Sequence, residues 1–239
     1  MKLSEIEAKR EVSLVKTMAR RGHSTLLDYF TVTMGFEDVK GLVGKMEGGS
    51  PDGLTPATSW IERAEFRPGP KMTTGRSNFG AALSGRRLFV FGGYDGSQRL
   101  NTTEILDLET MSFARGPNMG SIRNGCAAIT IGERRILVVG GDDGQRFLNT
   151  TEILDVGTMT FTPGPNMRGP RGRHALVVLE FPRRVLVIGG SDDEEKDLAA
   201  TEVLDLEKMT FTQGPDMRSP RSHCAAVTLD DRRILVAGG

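Results

Sequence analysis

Apolar and polar positions along the chain fall into a block that returns about every fifty residues. Four apolar runs end in a glycine pair: RLFVFGG at Gly93, ILVVGG at Gly141, VLVIGG at Gly190 and ILVAGG at Gly239. The pairs are 48, 49 and 49 residues apart. Each apolar run is preceded by a strand of small residues: FGAAL (79–83), CAAIT (126–130), HALVV (174–178) and CAAVT (224–228). Three of the runs are followed by a polar loop and a half-apolar strand, TEILDL, TEILDV or TEVLDL. A short strand centred on Phe113, Phe161 or Phe211 comes next, and a Gly-Pro turn closes the block. The pattern predicts four-stranded units, with strands a to d in chain order, in which strand b is covered on both faces. A self-similar period of this length, built from short strands and Gly/Pro turns, is the signature of a propeller or a related repeat array. Packing between neighbouring units is expected to rest chiefly on Phe113, Phe161 and Phe211.

The first 53 residues do not share the pattern. Ser4 with Glu7 has capping-box spacing, and Val39, Leu42, Val43 and Met46 recur at helical spacing. GGSPDG (48–53) reads as a linker. The expected organisation is a helical leader and linker over 1–53 and an all-β repeat domain over 54–239. WIERAEFRPGPKM (60–72) matches the tail of a unit, and residues 221–239 supply strands a and b of another. The array is therefore read as three complete four-stranded blades plus two half blades. It is either a small ring closed by pairing of Arg221–Gly239 with Ser59–Phe66 or an open, fragmentary array. Open edges of that kind invite self-association or a partner strand.

Composition narrows the function. Lys and Arg total 31 against 31 Asp and Glu, so no basic footprint for nucleic acid or an anionic membrane stands out. No apolar run approaches the ~18 residues that would span a bilayer. Two cysteines, Cys126 and Cys224, make no disulfide framework. With no secretory signal or transit-peptide pattern at the start, a cytoplasmic setting is the expectation.

The units resemble the kelch repeat. The resemblance rests on Gly-Gly after an apolar strand, then an Asp six residues before a large aromatic, then Met and an Arg four residues later. In this chain these are Asp107, Phe113, Met119 and Arg123, then Asp155, Phe161, Met167 and Arg171, then Asp205, Phe211, Met217 and Arg221. Phe stands where the family usually has Trp, and Leu106, Leu154 and Leu204 stand where it has Tyr. The resemblance implies a kelch-type β-propeller acting as a non-catalytic protein-interaction scaffold or adaptor. Recognition of substrates for a ubiquitin ligase is one form of that role. The competing reading is a kelch-like enzyme at the channel mouth, a sugar mutarotase/epimerase or a specifier-type protein. It would need convergent polar residues there.

Candidate chemistry is sparse. A radical-copper site needs tyrosines and histidines converging on the metal, but only Tyr29, Tyr94, His23, His174 and His223 occur. The column Phe79, Cys126, His174 and Cys224 reads as medium-sized wall residues rather than as zinc ligands. GDDG (141–144) and SDDEEKD (191–197) lack calcium-loop spacing. No catalytic residue, metal or cofactor is therefore expected. The surface remains. In a four-stranded meander the b–c and d–a loops share one face. It carries Tyr94, Asp95, Asp142, Asp143, Asp192, Asp193, Glu194 and Glu195 beside the unit arginines Arg76, Arg123, Arg171 and Arg221. A protein partner is expected to dock on this face. The arginines either take part in it, through bidentate pairing with carboxylates, or tie the d–a loop to its neighbours. The opposite face carries the Arg pairs, such as Arg134–Arg135.

Overall fold

The structure, a computed structural model, describes residues 30–31, 67–179, 183–230 and 233–239. The helices expected in the leader, and the 59–66 segment expected to close a ring, lie outside the described residues. Within 1–53 only β1 (Phe30–Thr31) is described, paired antiparallel with β2 (Arg67–Pro68). These two strands belong to a compact unit, Thr25–Lys71, separate from the one that holds the sheets.

The repeat period becomes three antiparallel four-stranded sheets, each a simple meander. The first is β3 (Gly80–Ser84), β4 (Arg87–Phe91), β5 (Thr103–Asp107) and β6 (Ser112–Arg115). The second is β7 (Ala127–Thr130), β8 (Arg135–Val139), β9 (Thr151–Asp155) and β10 (Thr160–Pro163). The third is β11 (Ala175–Leu179), β12 (Arg184–Ile188), β13 (Thr201–Asp205) and β14 (Thr210–Gln213). A hairpin, β15 (Ala225–Asp230) with β16 (Arg233–Ala237), repeats the first half of a unit. The register is the same in every sheet, as Arg87↔Asp107, Arg135↔Asp155 and Arg184↔Asp205 show.

The core lies between the sheets rather than within any one of them. Because strand side chains alternate, Phe89 and Phe91 of β4 face forward, while Ile136 and Val138 of β8 face back to meet them. Leu137 and Val139 of β8 in turn meet Val185 and Val187 of β12. Leu186 and Ile188 then meet Cys224, Ile234 and Val236 of the last hairpin. Both faces of a central strand b are thus occupied, which accounts for its unbroken apolar run. On the hairpin's forward face Leu235 is 49 % exposed, whereas its counterpart Leu137 is 0 % exposed.

The outer-strand phenylalanines are not the deepest contacts. Phe161 is half-buried, packing edge-on against Phe91 with ring centroids 6.1 Å apart. Phe113 and Phe211 are also half-buried, because strand d is the rim of its sheet. Leu106, Leu154 and Leu204 on strand c are buried more completely. We expect Leu154→Ala to cost about 3 kcal/mol of unfolding free energy, within the range for fully buried leucines. Phe161→Ala should cost roughly half that, since part of its ring stays in water. Chemical denaturation of the two variants measures the order, and a larger loss for Phe161→Ala would refute this account of the core.

Candidate functional site

Each Gly-Gly pair sits where the next unit begins. Gly92 and Gly93 have φ of 62° and 95°, in the region that favours glycine. A Cβ on Gly92 would run into the carbonyl oxygen of Arg123. That carbonyl accepts the Gly93 N–H at 2.9 Å. Gly141 donates likewise to Arg171 at 3.0 Å, and Gly190 to Arg221 at 2.8 Å. The glycines therefore let the arginine backbone of one unit approach the strand-b end of the unit before.

The same arginines turn their side chains into their own unit. Arg123 donates Nη1 to the carbonyls of Gly140 (2.8 Å) and Thr150 (2.9 Å), Nη2 to Thr150 Oγ1 (2.9 Å) and Nε to Glu152 (3.0 Å). Arg76 binds Gly92 O and Thr102 O through Nη1, and Thr102 Oγ1 and Glu104 through Nη2, the last at 2.7 Å. Arg171 reaches Gly189 O, Ala200 O and Glu202, the last at 2.7 Å. Each glutamate also accepts two backbone N–H groups of the d–a loop: Thr73 and Thr74, Gly120 and Ser121, Arg168 and Gly169. Burial pushes the Glu104 carboxyl up, but the bonds from Thr73, Arg76 and Thr74 outweigh it and leave it below the usual carboxylate value. Desolvation lowers the Arg171 guanidinium despite Glu202.

These contacts are of the kind that the loop-tying reading of the unit arginines requires. Arg76, Arg123 and Arg171 are buried, so they tie the d–a loop down and are withdrawn from the expected docking face. A guanidinium sealed among carbonyls and a carboxylate offers no donor to a partner. Arg221 is half-buried and donates Nη1 to Gly238 O at 2.7 Å. Glu104, Glu152 and Glu202 were not singled out from the sequence. The signal was their recurrence in register with the arginines.

The acidic loops do share one face with the d–a entry. Asn124 bridges Asp142, and Gly172 bridges Ser191. The Arg-pair turns lie at the other end of the sheets, where the Arg86 and Arg134 carbonyls accept N–H from the c–d turns. Several loop carboxylates are engaged in shaping the loops. Asp95 Oδ1 accepts Ser97 and Gln98 N–H, and the Gln98 and Ser97 bonds hold its carboxyl at about 2. Asp143 accepts Gln145 and Arg146 N–H, and Asp192 accepts Glu194 and Lys196 N–H. Other contacts link loop to loop. Arg99 Nε pairs with Asp142 at 2.7 Å, and Phe147 N–H donates to Asp193 at 2.6 Å. Arg173 pairs with Glu195 and lies over the Phe147 ring, 5.4 Å from its centroid. Tyr94 is exposed and donates its hydroxyl to Gly96 O at 2.9 Å, and Glu194 is exposed.

A further row was not read from the sequence. Asn78, Arg173 and His223 adopt positive φ at the start of strand a, in the place that Gly125 takes in the second unit. Gly125 N–H donates to Asn78 O, Arg173 N–H to Gly125 O and His223 N–H to Arg173 O, at 2.7–2.8 Å. This line of backbone bonds runs across the units just inside the loops. Behind it, Cys126 donates its thiol to Phe91 O at 3.5 Å, and burial pushes that thiol up to about 11. Cys126 is therefore a packing residue.

In the third unit Ala200 stands where Thr102 and Thr150 offer the arginine Nη2 a hydroxyl acceptor, so Arg171 Nη2 lacks that bond and keeps the one to Glu202. Ala200→Thr should therefore stabilise the chain by about 1 kcal/mol, the usual net value of one hydrogen bond. Arg123→Ala should cost about 3–5 kcal/mol, because it leaves Glu152 buried and unpaired. Equilibrium unfolding of the two variants checks both. Destabilisation by Ala200→Thr, or a neutral Arg123→Ala, would contradict the assignment.

Comparison with known proteins follows the same units. The Kelch motif matches residues 75–120 and 123–168, each match running from the start of one d–a entry to its counterpart in the next unit. No curated protein matches the chain. Among the described residues no helix is long and apolar enough to cross a membrane. With the Gly-Gly pairs, the four-stranded sheets and the motif matches in one register, residues 75–168 of the chain carry two kelch repeats.

Proposed function

We propose that the chain is a non-catalytic protein-binding module of the propeller type that docks a basic protein segment on its b–c loop face. Kelch repeats are generally protein-interaction modules. The observation that carries the reading is the loop-to-loop bracing, Arg99 to Asp142, Phe147 N–H to Asp193 and Arg173 to Glu195. A face held in this way loses little conformational entropy when a partner binds. The three loops share an Asp-stapled turn but differ in exposed side chains: Tyr94 in the first, Gln145 and Arg146 in the second, Glu194 and Lys196 in the third. Similar backbones with different side chains suit recognition of distinct local features, which is how loops on a rigid scaffold commonly work.

In this reading Asp95, Asp143 and Asp192 shape the face, and Tyr94, Asp193, Glu194 and Glu195 meet the partner. A cytoplasmic adaptor handing its cargo to a ubiquitin ligase is the narrower form, and it would require a second partner.

Glu194→Lys spares every bond described above, so it separates docking from folding. Combined with Tyr94→Ala, it should lower capture of basic partners at least tenfold and flatten the salt dependence of binding. Arg134→Glu with Arg135→Glu, at the opposite end of the sheets, should leave capture unchanged. A pull-down with both variants folded, giving the reverse order, would move the docking site to the Arg-pair face.

A further inference from the structure

The chain contains one Asn-Gly step, Asn124–Gly125, and it lies on the line of backbone bonds that crosses the units. A glycine nitrogen has no Cβ beside it, so after an asparagine it is the backbone nitrogen least hindered in attacking the side-chain carboxamide. The fold does not demand glycine at this place. Asn78, Arg173 and His223 take the same positive φ in the other units. A Cβ on Gly125 would meet Arg173, 3.3 Å from its Cγ and 3.5 Å from its N.

Three segments hold the step. Asn124 N–H donates to Asp142 O at 2.9 Å, and Asn124 O accepts Asp142 N–H at 2.7 Å. Gly125 N–H donates at 2.8 Å to Asn78 O, at the entry to the first sheet. Gly125 O accepts Arg173 N–H at 2.7 Å, at the entry to the third. The Asn124 carboxamide is held far less firmly. Its Nδ2 lies 3.5 Å from Asp142 Oδ2, at the limit of a hydrogen bond. Its Oδ1 is buried and accepts no bond among the described residues. The restraint therefore acts on the nucleophile, Gly125 N, rather than on the group it would attack.

We propose that Asn124–Gly125 is a self-modifying site, a deamidation switch released when the backbone line between units opens. With the bond to Asn78 broken, Gly125 N attacks Asn124 Cγ. The carboxamide C–N bond breaks, and ammonia leaves carrying the Gly125 amide proton, so the ring closes to a succinimide. Water then opens the ring at either carbonyl, giving aspartate or iso-aspartate. Neither product restores the site. Aspartate sets a second carboxylate beside Asp142, and the like charges repel. Iso-aspartate adds a methylene to the main chain, so Gly125 no longer meets Asn78 and Arg173 at their old separation. A transient opening of one junction is thereby made permanent, and Asp142 of the loop face loses its bridge to Asn124.

Peptide mapping by mass spectrometry measures the reaction during incubation of the whole chain in mildly alkaline buffer. Heavy-oxygen water labels the product. A synthetic peptide of residues 120–130 gives the unrestrained rate. The folded chain should react at least about tenfold more slowly, and urea below the unfolding transition should accelerate it in step with amide exchange of Gly125. Glu152→Gln, which loosens the d–a loop just before Asn124, should accelerate it as well. Gly125→Asn places a residue that tolerates the left-handed region, as Asn78 does. It should slow deamidation of Asn124 about tenfold in chain and peptide alike, because the attacking nitrogen gains a neighbouring Cβ. The urea series needs no variant, so it decides the matter even if Glu152→Gln folds poorly. A folded chain that reacts as fast as the peptide, a rate indifferent to Gly125 exchange, or an unslowed Gly125→Asn chain would overturn the proposal.

Discussion

An arginine removed from water is stable only if its donors are met by acceptors held in place by something else. In this chain that condition links the whole repeat. The Arg123 side chain satisfies itself on the end of strand b, the start of strand c and Glu152 of its own sheet. Its carbonyl meanwhile accepts from Gly93 of the sheet before. Glu152 then takes two N–H groups from the loop that joins those sheets. One residue thus connects three pieces of backbone that are distant in sequence; the arrangement recurs at Arg171, and its side-chain half recurs at Arg76. Loss of any one member strands the others in a poorly solvated site.

The apolar core and this polar junction divide the work. Side chains such as Ile136, Val138 and Phe91 hold neighbouring sheets face to face, but dispersion and hydrophobic burial have little directional content. Hydrogen bonds from a planar guanidinium do. The junction thus fixes where each d–a loop crosses and where each b–c loop begins. The loop face inherits that order. Its aspartates bind turn amides, and its loop-to-loop pairs are set at the spacing of the sheets beneath.

Strand order and the Gly-Gly turns were legible in the sequence because they repeat locally, within about fifty residues. The burial of the arginines was not. Arg123 and Glu152 are 29 residues apart, and a glutamate in a Thr-Glu-apolar strand reads as an ordinary solvent-facing polar position. Only the tertiary contact shows that its face is covered. The ranking of Phe161 below Leu154 was hidden for a related reason, since bulk in the sequence does not reveal which strand becomes the rim. The positive φ of Asn78, Arg173 and His223 was equally silent. Gly125 alone in that column hinted at the left-handed backbone.

Amide hydrogen exchange under native conditions tests the central claim most directly, because the N–H groups of Gly93, Gly141 and Gly190 are the donors that join one unit to the arginine of the next. If these junctions hold the array together, their amides should exchange only through the same global opening that releases Val138 and Leu137 of β8. Exchange of the glycine amides at the faster, local rate of the exposed loop amides, with β8 still protected, would show that the sheets cohere without the arginine junction and would contradict the account.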